Sequence, residues 1–237
     1  MRNKNEILRL ITHEIIVSCQ AYDQNPHATV EAMVTMALAG KMGGCVGFRA
    51  NSPEHVKAIR LAVGKDPIII GIWKLFVEGN DVYITTTIDA VRQLVAAGCD
   101  IVAIDCTDRV NAYGYKGLTL VTQIKKEFPD LVIMADCSTI EEAQAATKAG
   151  VDIVASTLSG YTSYTADRYE AGVDLRLLSD MSKIANIHVL AEGRIWTREE
   201  AVEAFKSGAK TCVIGTAITN PWQITKRFVD AKSELFK

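Results

Sequence analysis

The stretch "ATKAGVDIVAST" (146–157) decides the fold. A helical run of small residues ends on Gly150, and a short β-branched run follows at once. Two other stretches repeat the phrase, "LVAAGCDIVAID" (94–105) and "AFKSGAKTCVIG" (204–215). Gly98, Gly150 and Gly208 stand where a helix closes on a left-handed residue. The apolar run after each is continuous rather than alternating, as a parallel strand covered on both faces requires.

Working outward, the same reading predicts eight strands over 14–20, 45–50, 67–73, 100–106, 131–137, 152–157, 187–192 and 211–216. Helical patterns fall at 28–42, 53–63, 87–97, 118–128, 139–149, 172–184, 197–207 and 221–235. Ser52 precedes Pro53 and Asn220 precedes Pro221, each a cap followed by proline at the first helical position. Thr139 with Glu142, and Thr197 with Glu200, have capping-box spacing. Ile7, Leu8, Leu10 and Ile11 suggest a short amphipathic helix ahead of the first strand. Strand and helix alternate over 1–237 with no linker, so the expectation is an α/β chain forming a single (β/α)8 TIM barrel domain, a fold of about 250 residues. A doubly wound open sheet is the competitor. It would announce a glycine-rich nucleotide loop after the first strand, where this chain reads "CQAYDQNPHAT". The longest connections, 74–86, 107–117 and 158–171, all follow strands, on the active-site face of a barrel.

Composition narrows the partners. The formal net charge is -2, with no basic tract, which disfavours nucleic acid and anionic membrane. No apolar run is long enough to span a bilayer. The N-terminal "MRNKNEILRLITHE" carries charges throughout and lacks the apolar core of a signal peptide, so the cytosol is the expected location. The six cysteines form no C-x-x-C pair and mostly sit in or beside β-branched runs, which suggests a reducing compartment without disulfides. The four histidines make no spaced ligand pair, so no metal is expected.

The strand ends carry the chemistry. In "PIIIGIWKLF" (67–76) a strand buried on both faces runs straight into Lys74. Arg49 in "CVGFRA", Asp136 in "IMADCS" and Glu192 in "VLAEGRI" likewise sit within or right after apolar runs. Charges there are costly unless they pair or bind something. Burial and a positive neighbour would lower the lysine pKa from about 10.4, and the neutral amine could then remove a proton beside a carbonyl or form a Schiff base. Isomerase and lyase both stay open on these residues, as does a purely structural Lys74–Glu192 ion pair. The loops "AEGRI" and "IGTAITN" after strands seven and eight stand where such barrels often hold phosphate, with Gly193 and Gly215 permitting close backbone approach and Thr216 offering a hydroxyl.

The pieces "VSCQA" (17–21), "GGCVGFRAN" (43–51), "IVAIDCTDR" (101–109), "MADCST" (134–139), "TLSGYT" (157–162), "AEGRI" (191–195) and "IGTAIT" (214–219), in this order at barrel spacing, resemble the N-acetylmannosamine-6-phosphate 2-epimerase family, a ribulose-phosphate-binding type of barrel. The resemblance covers nearly the whole chain from residue 16. It implies interconversion of N-acetylmannosamine 6-phosphate and N-acetylglucosamine 6-phosphate in sialic-acid breakdown, with no cofactor. It implies Lys74 as the acid/base at C2 and Glu192 as its catalytic partner. Gln20, Arg49 and Asp136 would contact the sugar, as would Thr157 and Ser159. Gly193, Arg194, Gly215 and Thr216 would hold the phosphate. A homodimer is implied as well, sometimes with the last helix exchanged between subunits; packing of that helix on its own barrel is the alternative. The chain departs from the family pattern at Leu75 and Phe76, at Asn220, and in "RVNAYGYKG" (109–117); the first two remove positive charge near the mouth and bear on phosphate affinity and substrate preference more than on fold or C2 chemistry. The other readings are a Schiff-base lyase or aldolase using Lys74, and a sugar-phosphate-binding barrel without catalysis.

Overall fold

The computed structural model describes residues 2–21, 24–169 and 171–236. Eight parallel strands close into one barrel in chain order. They are β1 (Glu14–Cys19), β2 (Gly47–Asn51), β3 (Ile68–Ile72), β4 (Ile101–Asp105), β5 (Val132–Asp136), β6 (Ile153–Ala155), β7 (His188–Glu192) and β8 (Thr211–Ile214). The helices are α1 (Lys4–Ile11), α2 (Val30–Met42), α3 (Pro53–Val63), α4 (Ile88–Ala97), α5 (Gly117–Glu127), α6 (Ile140–Ala149), α7 (Leu175–Met181), α8 (Arg198–Lys206), α9 (Thr216–Thr219) and α10 (Pro221–Leu235).

Local chemistry sets the helix ends. Gly98, Gly150 and Gly208 adopt φ of 96°, 91° and 103°, the left-handed conformation the repeated phrase calls for. The Thr139–Glu142 and Thr197–Glu200 capping boxes are both formed. Ser52 accepts from His55 N, with Pro53 at the start of α3. Most boundaries shift by a residue or two from the sequence expectation, and two of the shifts have a visible cause. The strand predicted to 216 ends at Ile214, because Gly215 leaves extended backbone and its carbonyl accepts from Ile218 N and Thr219 N, winding 216–219 into α9. The helix predicted over 172–184 is confined to α7, because the Asp174 carboxylate accepts from Leu177 N and caps it there.

Side-chain alternation divides the core into two layers. Outward-facing residues such as Phe48, Ile69, Val102 and Ile133 pack under the helices. Inward-facing residues, Ile16, Ile68, Ile70, Ile72, Ile101, Val132, Met134, Ile153, Leu190 and Val213, fill the barrel. Ile7 and Ile11 of α1 join this inner layer and close the barrel floor. The Ile11 carbonyl accepts from Thr211 Oγ1 at 2.6 Å, and Lys4 pairs with Asp152 at 3.0 Å, holding α1 in place.

The same alternation explains why Lys74 follows an isoleucine run. Ile68, Ile70 and Ile72 point inward, and Lys74 is the next residue in phase. Asp136 stands two residues beyond Met134, Glu192 two beyond Leu190, Thr157 two beyond Ala155 and Gly215 two beyond Val213. Once the barrel closes, these positions converge above the apolar fill.

Candidate active site

A cavity of ≈ 370 Å³ opens at the C-terminal ends of the strands. Gln20, Arg49, Lys74, Thr157 and Glu192 line it, together with Gly193, Arg194, Gly215 and Thr216. Asp136 is fully buried beneath this wall. Ser159 lies off the wall, buried, with its hydroxyl donating to Asp174 at 2.6 Å. Of the connection 158–171, Glu170 lies outside the described residues.

Arg49 is the centre of the charged group. Its Nη2 donates to Asp136 Oδ2 at 2.6 Å and its Nη1 to Asp136 Oδ1 at 3.0 Å, a bidentate pair. The same Nη1 reaches Glu192 Oε2 at 2.5 Å. Thr157 Oγ1 donates to Asp136 Oδ1 at 2.6 Å and approaches Glu192 Oε2 at 3.4 Å. One guanidinium therefore serves two carboxylates, and a second positive charge is needed for balance. Lys74, on the same cavity wall, supplies it.

Both titrating groups are displaced toward neutrality. Loss of water, then the Arg49 charge, brings the Lys74 amine down from 10.5 to about 8, against the pull of Glu192 and Asp136. Loss of water, opposed by Arg49 and reinforced by Asp136, raises the Glu192 carboxyl from 4.5 to about 7. An ammonium with a carboxylate, and a neutral amine with a carboxylic acid, have equal net charge. Burial thus favours the neutral form of each group.

The segment after β3 holds Lys74 by its backbone. Lys74 N donates to Asn51 Oδ1 at 2.8 Å, and Leu75 N donates to the Tyr83 carbonyl at 2.9 Å. The chain doubles back here, with Lys74 bridged to Ile84 in antiparallel fashion. Phe76 stacks on Tyr83 at 4.7 Å, and Tyr83 lines the cavity. Phe76 thus backs Tyr83 at the cavity wall.

Arg194 is tied to the β6–α7 connection. Its Nε donates to the Gly172 carbonyl at 2.6 Å and its Nη1 to the Ser159 carbonyl. Its guanidinium lies 5.4 Å from the Tyr161 ring and 5.7 Å from the Tyr169 ring. Arg194 has a φ of 58°, strained for a side-chain-bearing residue, directly after Gly193 at 108°. Sequence reasoning missed Tyr83, Tyr161, Tyr169, Trp196, Asn25 and Gln223, all on the cavity wall. Trp196 left one usable trace, because Glu200 of the α8 capping box also accepts from Trp196 N at 2.6 Å. Among the described residues, no three histidine, cysteine, aspartate or glutamate side chains gather as metal ligands would.

A family model described as "NanE: Putative N-acetylmannosamine-6-phosphate epimerase" matches residues 33–234. The chain belongs to this family. A relative from Caldanaerobacter subterraneus subsp. tengcongensis, named "Putative N-acetylmannosamine-6-phosphate 2-epimerase", is 43% identical over 94% of this chain and 93% of its own length. One of the same name from Shouchella clausii is 40% identical over 95% and 98%. The solved N-acetylmannosamine-6-phosphate 2-epimerase from Clostridium perfringens superposes with a TM-score of 0.89 at 37% identity, covering 98% of each chain. The family match and the closed eight-strand topology agree on a TIM barrel.

Proposed function

We propose that this chain interconverts N-acetylmannosamine 6-phosphate and N-acetylglucosamine 6-phosphate by removing and returning the proton at C2, as part of sialic-acid breakdown in the cytosol. Family membership supports the substrate. The observation that carries the chemistry is the pairing of Lys74 and Glu192 on one cavity wall, both shifted toward neutrality around a shared Arg49.

Once the sugar ring opens, C2 lies beside an aldehyde and its proton is acidic enough for an enolate route. Neutral Lys74 removes that proton, and the proton returns on the opposite face. Glu192 moves a proton on a sugar hydroxyl. Arg49 keeps Asp136 and Glu192 in place and supplies positive potential where the oxyanion develops. The 6-phosphate, held near Gly193, Arg194, Gly215 and Thr216, anchors the far end so that C2 is presented to the amine. Gln20 and Thr157 complete the sugar contacts.

Proton NMR of N-acetylmannosamine 6-phosphate with the protein in heavy water tests this. The expected result is deuterium at C2 together with the epimer. A Lys74→Ala variant that exchanged the C2 proton at the wild-type rate would remove Lys74 from the role. Because the neutral amine is the base, kcat/KM should rise with pH up to about 8. Reduction with borohydride in the presence of substrate should leave Lys74 unmodified, whereas a trapped adduct would favour the lyase reading.

The working form is a homodimer. Its support is α10, which forms at its predicted bounds but has no buried residue. Phe228, Leu235 and Phe236 are about three-quarters exposed, and Leu38 and Met42 of α2 are exposed as well. A second copy would cover these side chains. Light scattering of the purified chain should give twice the monomer mass, and a monomer at micromolar concentration would refute the dimer.

A further inference from the structure

Lys74 sits just past the point where the regular ladder of β3 stops. On the β2 side, Ser52 N donates to the Ile72 carbonyl at 2.8 Å. In a parallel pair the next bond would run from Lys74 N to the Ser52 carbonyl. Ser52 breaks the series. Its φ is 76°, in the left-handed region, and its carbonyl accepts instead from Val56 N at 3.1 Å as α3 begins. The Asn51 side chain fills the gap, because its Oδ1 accepts from Lys74 N at 2.8 Å. A side-chain amide oxygen thus stands in for a backbone carbonyl one step beyond the strand.

On the β4 side the ladder stops earlier, at the Gly71–Val102 pair. Residues 83–85 take over as a short insert between the two strands. Thr85 N donates to the Trp73 carbonyl at 2.8 Å, Trp73 N donates to Thr85 Oγ1 at 3.1 Å, and Asp105 N donates to the Ile84 carbonyl at 3.2 Å. Thr85 also has a left-handed φ, 49°, which a β-branched residue seldom adopts. Strained residues therefore flank the lysine segment on both sides. Such strain persists only where the surroundings hold it, and it gathers at working sites.

Asn51 grips Lys74 from behind the cavity wall, where it lines a separate recess of ≈ 50 Å³ with Cys19 and His55. The amine itself meets Arg49 from β2, Asp136 from β5 and Glu192 from β7, and loss of water weighs on it most. An amine so placed gains by moving toward water once its backbone is free to shift. We infer that Asn51 is a positioning residue that holds the Lys74 backbone in place of the missing ladder carbonyl and so keeps the amine at the reacting carbon. The inference rests on the epimerase reading for the role of Lys74.

Asn51→Ala removes the acceptor, and Asn51→Asp keeps an oxygen at the same reach. Asn51→Leu, which fills the space without an acceptor, takes the place of the alanine variant if that one does not fold. Steady-state epimerisation of N-acetylmannosamine 6-phosphate gives kcat and KM. Brief treatment with acetic anhydride across about pH 6–11, with mass analysis of the peptide carrying Lys74, gives the titration midpoint of the amine. Asn51→Ala should lower kcat by about tenfold or more and leave KM within about twofold. It should also raise the midpoint from about 8 toward 10.5, as the amine regains water. Asn51→Asp should return kcat to within about threefold of wild type. An alanine variant with kcat within about twofold of wild type overturns the inference. A rise in KM at unchanged kcat overturns it too, since that pattern marks a substrate contact. An equal loss of kcat in the alanine and aspartate variants does the same, because the acceptor would then not be what matters. If wild type fails to epimerise the sugar, the midpoint decides. A rise of about one unit or more in Asn51→Ala keeps Asn51 as the support of Lys74 and discards the epimerase reading, and an unmoved midpoint discards both.

Discussion

The floor and the mouth of this barrel are buried to a similar degree and built from opposite chemistry. At the floor, Ile7 and Ile11 of α1 press on the inward isoleucines, and the buried His188 shares a hydrogen bond with Thr211 at 2.7 Å. At the mouth, the next inward layer holds a fully buried arginine between two carboxylates, with a half-buried lysine on the same wall. The floor satisfies itself with apolar contact. The mouth holds its two acids on one guanidinium, and burial pushes Lys74 and Glu192 toward their neutral forms. Burial alone therefore does not mark a structural core, and the distinguishing quantity is whether each buried group is content with its own protein partners.

Breaking the mouth should cost more than breaking the floor. Arg49→Met leaves Asp136 and Glu192 buried without their cation and should lower stability by about 3–5 kcal/mol in a urea titration. A loss under about 1 kcal/mol would mean that solvent reaches these acids. At the floor, Ile11→Ala opens a cavity under the barrel and should cost about 2–4 kcal/mol. It should leave turnover per folded molecule unchanged, because the contact lies at the end of the strands away from the cavity. A fall in kcat in that variant would show that the two ends communicate.

Smaller shifts sharpen the contrast through pH. Lys74 has a folded pKa below its ordinary one, so wild type carries the cost of a charged amine fully below about pH 8 and sheds it as pH rises to 10.5. Lys74→Met should therefore be more stable by about 2 kcal/mol at pH 7, an advantage that fades across that window. Thermal melts at several pH values measure it, and a pH-independent difference would contradict the placement of the amine. His188 moves in the same direction for a different reason. Burial first, then the positive charges of Lys210 and His13, bring its imidazole down from 6.5 to about 4. Its contribution is complete above pH 6.5 and is lost as pH falls toward 4. His188→Asn, which takes no proton, should flatten the loss between these limits by about 1 kcal/mol at pH 5.

These experiments probe a structure whose local rules were readable and whose long-range pairings were not. The three repeated glycines, the two capping boxes and the period-two phase of β3, β5 and β7 involve residues a few positions apart. Backbone geometry forces them wherever the chain goes, so strand count, strand order and the inward direction of Lys74, Asp136 and Glu192 follow from them. The wall residues Asn25, Tyr83, Tyr161, Tyr169 and Trp196 come from connections that carry no periodic signal. Their place depends on which loops meet above the closed barrel. Arg194 illustrates the limit, since its strand-end position marks it for the mouth, yet the carbonyls of Ser159 and Gly172 hold its guanidinium.

The sequence by itself determined the alternation of helix and strand, the caps at Ser52, Thr139, Thr197 and Asn220, and which strand-end residues face inward, because these depend on steric and hydrogen-bonding rules between near neighbours. Only the tertiary structure decided that one guanidinium serves two acids, that Asn25 meets Trp222 across nearly the length of the chain, and that α10 buries none of its residues. Those outcomes rest on free energies between groups brought together by closure of the barrel, and no spacing along the chain encodes them.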